Sequence, residues 1–422
     1  MNRGRGFRHW LPFCRCRFGD QIQTHSIRRD PRELPAWRTV KHRSFHAPSS
    51  PAAHMRIQRI PSLLLPVFIS FPLLAAAAGL RAAAPHVTGG KPLPPLPEGA
   101  FTLVVIPDTQ SYAGKGCKAT PDSTDSVTNS NLEAQVQWIT ANREAQNIVF
   151  VTHVGDIVDQ NNDEQWSVAK RHLDQLRGVA PFALTVGNHD MTSNGDARLF
   201  QRHFPAASFA DQPWYLESYR HDRRDQHVSA DNVNSAQVFS AGGLDFLHMS
   251  LECNAPDDVL AWADAVLRRH PERLAIITTH MDLGIENKPA TTEGYIHDPK
   301  GRMRWTKIHG ERGNSGAWMW GKLYRKHANL RFILCGDQSR VTALRREDRA
   351  DDGHVIHSLL SDYMSQPVLR LMRFLPAEQR VDVLTYEVGR GFLVESALHV
   401  PETGQHQFSL HLPLRPGRAP SS

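Results

Sequence analysis

Short, largely apolar runs alternate with amphipathic segments along most of this chain. Phe101–Ile106, Ile148–His153 and residues 182–186 are apolar on both faces, the pattern of strands buried inside a parallel sheet. Each ends where the chain turns toward a helical pattern, so the residues that follow converge on the carboxyl-terminal edge of a sheet. Residues 131–144 place Val136 and Ile139 on one helical face around Trp138, and Trp166, Ala169, Leu173 and Leu176 have helical spacing between the second and third runs. Residues 236–240 and Leu244–Leu251 flank Gly242-Gly243, a hairpin signal. Asp257–Arg269 carries Leu260, Ala263, Val266 and Leu267 at helical spacing and leads into the apolar strand Leu274–Thr279. Leu330–Cys335, 355–360, 368–374, Arg380–Glu387, 391–397 and 405–412 follow as strands, enough to complete two sheets stacked face to face. The pattern predicts an α/β fold.

Upstream of residue 85 the pattern changes. Arg56 and Arg59 precede an apolar run over 63–80, followed by small-residue cleavage sites around Ala77 and Ala78, the layout of a secretory signal peptide beginning at Met55. Pro61, Pro66 and Pro72 oppose a stable membrane-spanning helix, with a retained anchor as the alternative. The expected organisation is a leader over 1–54 placed ahead of the true start, a signal peptide over 55–84, a Pro/Gly-rich linker over 85–99, one catalytic domain over 100–412 and a flexible tail over 413–422. A genuine cytoplasmic arm is the other reading of 1–54. The expected location is secreted or periplasmic.

This division changes the meaning of the charge. The whole chain has a formal net charge of +6, but residues 1–84 hold 14 Lys and Arg against 3 Asp and Glu, and the rest holds 35 against 40. The basic total is therefore no footprint for nucleic acid. Of five cysteines, Cys14 and Cys16 fall in the leader and Cys335 in an apolar strand, leaving Cys117 and Cys253 as the more accessible pair. Three cysteines beyond the leader support no disulfide framework. None has a patterned histidine nearby, and Gly313-Asn314-Ser315-Gly316 is not a nucleophile elbow.

The candidate chemistry follows the first three strands. Asp108-Thr109-Gln110, Gly155-Asp156-Ile157-Val158-Asp159 and Gly187-Asn188-His189-Asp190 deliver carboxylates and an amide to one rim. A carboxylate such as Asp156 can bridge two divalent cations about 3.5 to 4 Å apart, and a water held between them becomes a hydroxide nucleophile near neutral pH. Asp108 would bind one cation and Asn188 the other, the neutral amide adding a ligand without adding charge. His189 would stand beside a phosphate as general acid or charge stabiliser, with Asp190 orienting it. Taken singly, Gly-Asp is a turn and Asn-His-Asp a cap; their joint order after three strands is the signal.

Here the chain resembles the calcineurin-like metallophosphoesterase superfamily, whose pattern runs Asp-x-His, Gly-Asp-x-x-Asp, Gly-Asn-His-Asp/Glu, a lone His after a strand, and Gly-His-x-His. The second and third motifs match in full, and His280, ending Leu274–Thr279, stands at the lone His. The resemblance implies a four-layer fold, two stacked mixed sheets flanked by helices, and a phosphomonoester or phosphodiester substrate cleaved by a metal-bound hydroxide. It also implies that His280 shares a metal with Asn188. Two motifs depart from the pattern. Gln110 replaces a histidine, as in a secreted bacterial Asp-Thr-Gln subgroup, and Gly336-Asp337-Gln338-Ser339 carries Asp and Ser where the family has two histidines.

By position, one metal site is Asp156, Asn188, His280 and Asp337, and the other is Asp108, Gln110 and Asp156. Two divalent ions are the expected cofactors, with this oxygen-rich set favouring Mn²⁺, Mg²⁺ or Ca²⁺ over zinc or iron and the Gln110 ion the weaker. His297, His309, His354 and His357 are candidate replacement ligands, each weighed against a purely structural role. The polar stretch 283–316 offers Lys288, Lys300, Arg302, Arg304 and Arg312 to a phosphate, or is simply a solvated loop. The alternative to an enzyme is a phosphate- or glycan-binding protein with a degenerate, single-metal site.

Overall fold

A computed structural model describes residues 86–414. The expected leader and signal peptide, and all of the tail beyond residue 414, lie outside the described residues. Among the described residues no helix is long and apolar enough to cross a membrane.

Two seven-stranded sheets carry the fold. The first runs in the order Phe392–Leu393, Arg380–Glu387, Val368–Leu375, Phe101–Ile106, Ile148–His153, Phe182–Leu184, with Gln407–His411 also paired to Arg380–Glu387. The second runs Ala343–Arg349, Val355–Ser361, Leu330–Cys335, Leu274–Thr279, Leu244–Leu251, Ser235–Ala241, Tyr215–Ser218. Both sheets are mixed. Phe101–Ile106, Ile148–His153 and Phe182–Leu184 are parallel, as are the four strands from Leu244–Leu251 to Val355–Ser361, while the flanking strands are antiparallel.

The apolar faces meet in an aromatic core. Phe101 stacks on Phe374 at 5.1 Å between ring centroids and meets Phe246 of the other sheet edge-on at 5.8 Å, and Phe150 stacks on Phe239 at 4.5 Å. Burying each such ring contributes about 1.5–3 kcal/mol. Helices close the outer faces. Ser130–Asn142 and Asp163–Leu173 pack Leu132, Val136, Ile139, Trp166 and Leu173 on the first sheet; Asp257–Arg269 and Gly316–Lys322 pack Val259, Ala263, Val266 and Met319 on the second. Asn129 and Asn162 cap the first two helices by accepting from the amides of Leu132 and Gln165. The result is the expected four-layer arrangement.

Several details differ from the sequence reading. Ala343–Arg349 forms an edge strand whose five consecutive charged residues deprive it of an apolar run; charges on an edge also discourage pairing with another chain. Tyr215–Ser218 and the short helix Arg198–His203 also lack a strong apolar period. The segment 391–397 divides into two short strands, and Ser396–Ala397 pairs with Val87–Thr88. The stretch expected as a linker is thus stitched to the domain, with Val87 buried. At the other end Leu414 is buried against the inter-sheet core.

Candidate metal centre

Every motif residue stands just beyond the carboxyl end of a parallel strand. Asp108, Asp156 and Asn188 follow the three parallel strands of the first sheet; His280 and Asp337 follow Leu274–Thr279 and Leu330–Cys335 of the second. One ligand atom each from Asp108, Asp156 and His280 lies within 4.8 Å of the other two, and all three side chains are buried. Two sheets therefore build one cluster.

Local backbone geometry explains the motif glycines. Asp156 and Asp337 adopt left-handed φ of 52° and 70°, a costly conformation for residues with a side chain and one that clusters at functional sites. A Cβ on Gly187 would fall 2.2 Å from Asp156 Oδ1, and one on Gly336 would fall 2.2 Å from Asp108 Oδ1. Only a bare backbone leaves room for the two carboxylates.

The donor set fits a divalent cation. His280 Nδ1 donates to the Val154 carbonyl at 3.0 Å, which turns Nε2 toward Asp156 Oδ1 at 3.1 Å and Asp337 Oδ1 at 3.6 Å. Asp108 Oδ1 is buried without a hydrogen-bond partner, a costly state that a bound ion relieves. Burial, and next the Asp362 carboxylate, raise Asp108 well above the usual carboxylate range. Burial also acts to raise Asp156, but the neighbouring His280 outweighs it and holds the group down at about 2. Burial alone would depress His280, yet Asp156 and then Asp108 raise it well above an ordinary histidine. Carboxylates outnumber cationic groups here, so added positive charge is stabilising.

Other expected site residues take definite places. Gln110 Nε2 donates to Asp156 Oδ2 at 2.7 Å, so its amide orients that carboxylate in this arrangement. The His189 backbone amide donates to Asp156 Oδ1 at 2.8 Å, while its ring Nδ1 lies 2.8 Å from the Asp159 carbonyl. Asp190 was expected to orient His189 and does not. Its buried carboxylate accepts from the amides of Gly187 and Val158, tying motif three to motif two, because those two turn amides face it and His189 points away. Burial, and next Asp156, raise Asp190 to about 6.

Asn188 and Asp337 meet at Lys307. The Lys307 Nζ donates to Asn188 Oδ1 at 3.3 Å and forms an ion pair with Asp337 Oδ1, whose partner oxygen accepts from Gln338 Nε2 at 2.7 Å. Burial opposes the lysine charge, but Asp337 holds its pKa above the ordinary value. Sequence spacing offers no signal for Lys307, because it stands in the long polar connection with no apolar run just before it. Arg302, offered to a phosphate, is instead buried against Asp282 and Asp348, and Arg304 pairs with Glu286. The four candidate histidines are engaged elsewhere: His297 with Glu293, His309 with Glu252, His354 with Asp352, and His357 beside Glu347. Cys117 and Cys253, expected to be accessible, are buried free thiols like Cys335.

A further carboxylate at this rim stands outside the motifs. Asp362 follows Val355–Ser361, which is parallel to Leu330–Cys335, so it reaches the same rim by the same rule. It opens a left-handed turn with φ of 56°, 53° and 55° at Tyr363, Met364 and Ser365. Asp362 Oδ1 accepts from the Met364 amide at 2.7 Å, and Ser365 Oγ accepts from the Gln110 amide at 2.9 Å, clasping the turn to motif one. Burial, and among its charged neighbours first Asp337, raise Asp362 to about 6. A carboxylate directly after a buried apolar strand was the available signal.

Comparison with known proteins adds four findings. The family model described as calcineurin-like phosphoesterase matches residues 101–338. The chain is 26% identical over 332 residues to the uncharacterized protein YvnB of Bacillus subtilis (strain 168), a match covering 75% of this chain and 22% of that relative. Among solved structures it is similar to a 5'-nucleotidase precursor from Thermus thermophilus, at 13% identity and a TM-score of 0.39 over 76% of this chain and 56% of the other. It is also similar to the NAD nucleotidase (NadN) of Haemophilus influenzae, at 11% identity and a TM-score of 0.37 over 70% and 48%.

Proposed function

The chain belongs to the calcineurin-like phosphoesterase family, and from that premise we propose that it hydrolyses a phosphomonoester or phosphodiester at the rim where Asp108, Asp156 and His280 converge. The observation that carries this reading is the buried cluster of ligand atoms from Asp108, Asp156 and His280, in which Asp108 Oδ1 has no hydrogen-bond partner. Asp108, Asp156 and His280 would hold a divalent ion there, and two oxygen ligands to one nitrogen favour Mn²⁺ or another hard cation. Such an ion supplies Lewis acidity to a phosphoryl oxygen and a water nucleophile at neutral pH.

The chain's own groups supply the rest. Gln110 and the His189 amide fix the Asp156 carboxylate. With Nδ1 engaged by the Asp159 carbonyl, His189 keeps Nε2 to carry a proton to a departing alkoxide, and its side chain is about one-third exposed, at 35%. Asp190 holds the two motif turns together. Asn188 and Asp337, expected as ligands of a second ion, face the Lys307 ammonium. The 55–84 segment, as a signal peptide, would place the reaction outside the cytoplasm.

The test is turnover. Protein stripped with a chelator is expected to be inactive on aryl phosphate mono- and diesters and to regain hydrolysis on addition of Mn²⁺, the ratio of the two rates ranking the substrate classes. The Lys307–Asp337 ion pair favours the alternative of a binding protein with one ion. Metal and phosphate binding without turnover on either ester would establish that alternative instead.

A further inference from the structure

Of the expected Asp156, Asn188, His280 and Asp337 set, Asn188 and Asp337 lie outside the Asp108–Asp156–His280 cluster, and both are already engaged by a cation of the chain itself. Lys307 Nζ lies 3.3 Å from Asn188 Oδ1 and pairs with Asp337 Oδ1. We infer that the Lys307 ammonium occupies the second cation position, so that the working site holds one divalent ion and one fixed lysine. This rests on the phosphoesterase reading and deepens it.

Lys307 is held in place by its loop. Asn254, itself in a left-handed conformation, accepts with Oδ1 from the amides of Lys307 at 2.9 Å and Ile308 at 3.3 Å, and donates with Nδ2 to the Asn314 carbonyl at 3.1 Å. Two residues beyond Lys307, the His309 ring meets Glu252 at 3.0 Å with both side chains fully buried, and the His309 amide donates to the Ser193 carbonyl at 2.9 Å. Asn234 Nδ2 donates to the same Glu252 at 3.0 Å. A stretch expected either to contact phosphate or to be a solvated loop is therefore anchored at the lysine and just beyond it.

The altered last motif matches this arrangement. An imidazole at position 337 would serve a metal but would not form an ion pair with an ammonium; the carboxylate of Asp337 does both jobs of charge and acceptor. The amide oxygen of Asn188 accepts equally from an ammonium or a metal. An ammonium is a compact point charge with donors and no open coordination position. At this place it would attract a phosphoryl oxygen and exclude a second ion, whose ligands it already holds.

Metal stoichiometry tests the inference without relying on turnover. The full chain, titrated with Mn²⁺ by calorimetry and followed by electron paramagnetic resonance, is expected to take one equivalent with the six-line spectrum of an isolated ion. Lys307→Ala is expected to take a second equivalent and show exchange coupling, whereas Lys307→Arg, which keeps the charge, stays at one. In the Ala variant kcat/KM is expected to fall about 10²-fold, the usual loss for one charge-stabilising donor. Two coupled ions in the unaltered chain, or one ion retained by folded Lys307→Ala, would overturn the inference. Should Lys307→Ala fail to fold, Lys307→Met takes its place in the same titration. Hydrolysis with two bound ions would overturn this inference and leave the phosphoesterase standing; one ion, gained to two in the variant, without hydrolysis would do the reverse.

Discussion

Asp156→Ala is expected to lower hydrolysis by about 10³-fold or more, because the groups that define the centre meet at this one carboxylate. Gln110 Nε2 and the His189 amide donate to its two oxygens at 2.7 and 2.8 Å, and His280 Nε2 stands 3.1 Å away. Its removal takes away a metal ligand, the acceptor that aligns motif three and the charge opposite His280 together. Losses from groups that act as a unit do not add, so Asp156→Ala combined with His280→Ala should cost little more than Asp156→Ala alone. The measurement is kcat at saturating Mn²⁺, with near-ultraviolet circular dichroism to verify folding. Undiminished turnover in folded Asp156→Ala would remove this carboxylate from the mechanism.

Arg302→Ala is expected to cost about 3–5 kcal/mol of stability, the range for leaving one member of a buried ion pair without its partner. Arg302 Nη1 lies 2.6 Å from each oxygen of Asp282, and Nη2 lies 2.9 Å from both Asp348 Oδ2 and Ser358 Oγ. The Arg302 and Asp282 side chains are only 7% and 0% exposed, so solvent screens little of the interaction. Burial already pushes the Asp282 carboxyl above its ordinary range despite the arginine beside it. Without Arg302 the charge would have no compensation two residues from His280. Urea denaturation measures the loss, and Arg302→Met with Asp282→Leu should recover much of it, because the stranded charge goes too. A loss below about 1 kcal/mol would place the pair among solvent-screened surface pairs.

The parts of this architecture visible in the sequence are those set by local chemistry. Runs such as Phe101–Ile106 and Leu330–Cys335 are buried on both faces, so apolarity alone marks them, and their carboxyl ends locate Asp108 and Asp337. Tertiary partners decide the rest. Ala343–Arg349 pairs on one side only and keeps Arg345, Glu347 and Arg349 in solvent, so it lacks that mark. Whether Asp190 orients a histidine or ties two turns depends on the Val158 amide, 32 positions earlier, and the ammonium beside Asp337 comes from a residue 30 positions earlier. Asp362 was reachable by the strand-end rule but stands outside any motif. Arg302 shows the converse: a basic residue in a polar stretch suggests phosphate, and only burial against Asp282 shows a structural role.

The most direct test is anomalous X-ray scattering from crystals soaked in Mn²⁺. One Mn²⁺ peak bounded by Asp108, Asp156 and His280, with Lys307 still paired to Asp337, is the predicted result. An empty Asp108–Asp156–His280 cluster in crystals soaked at saturating Mn²⁺ would contradict the account.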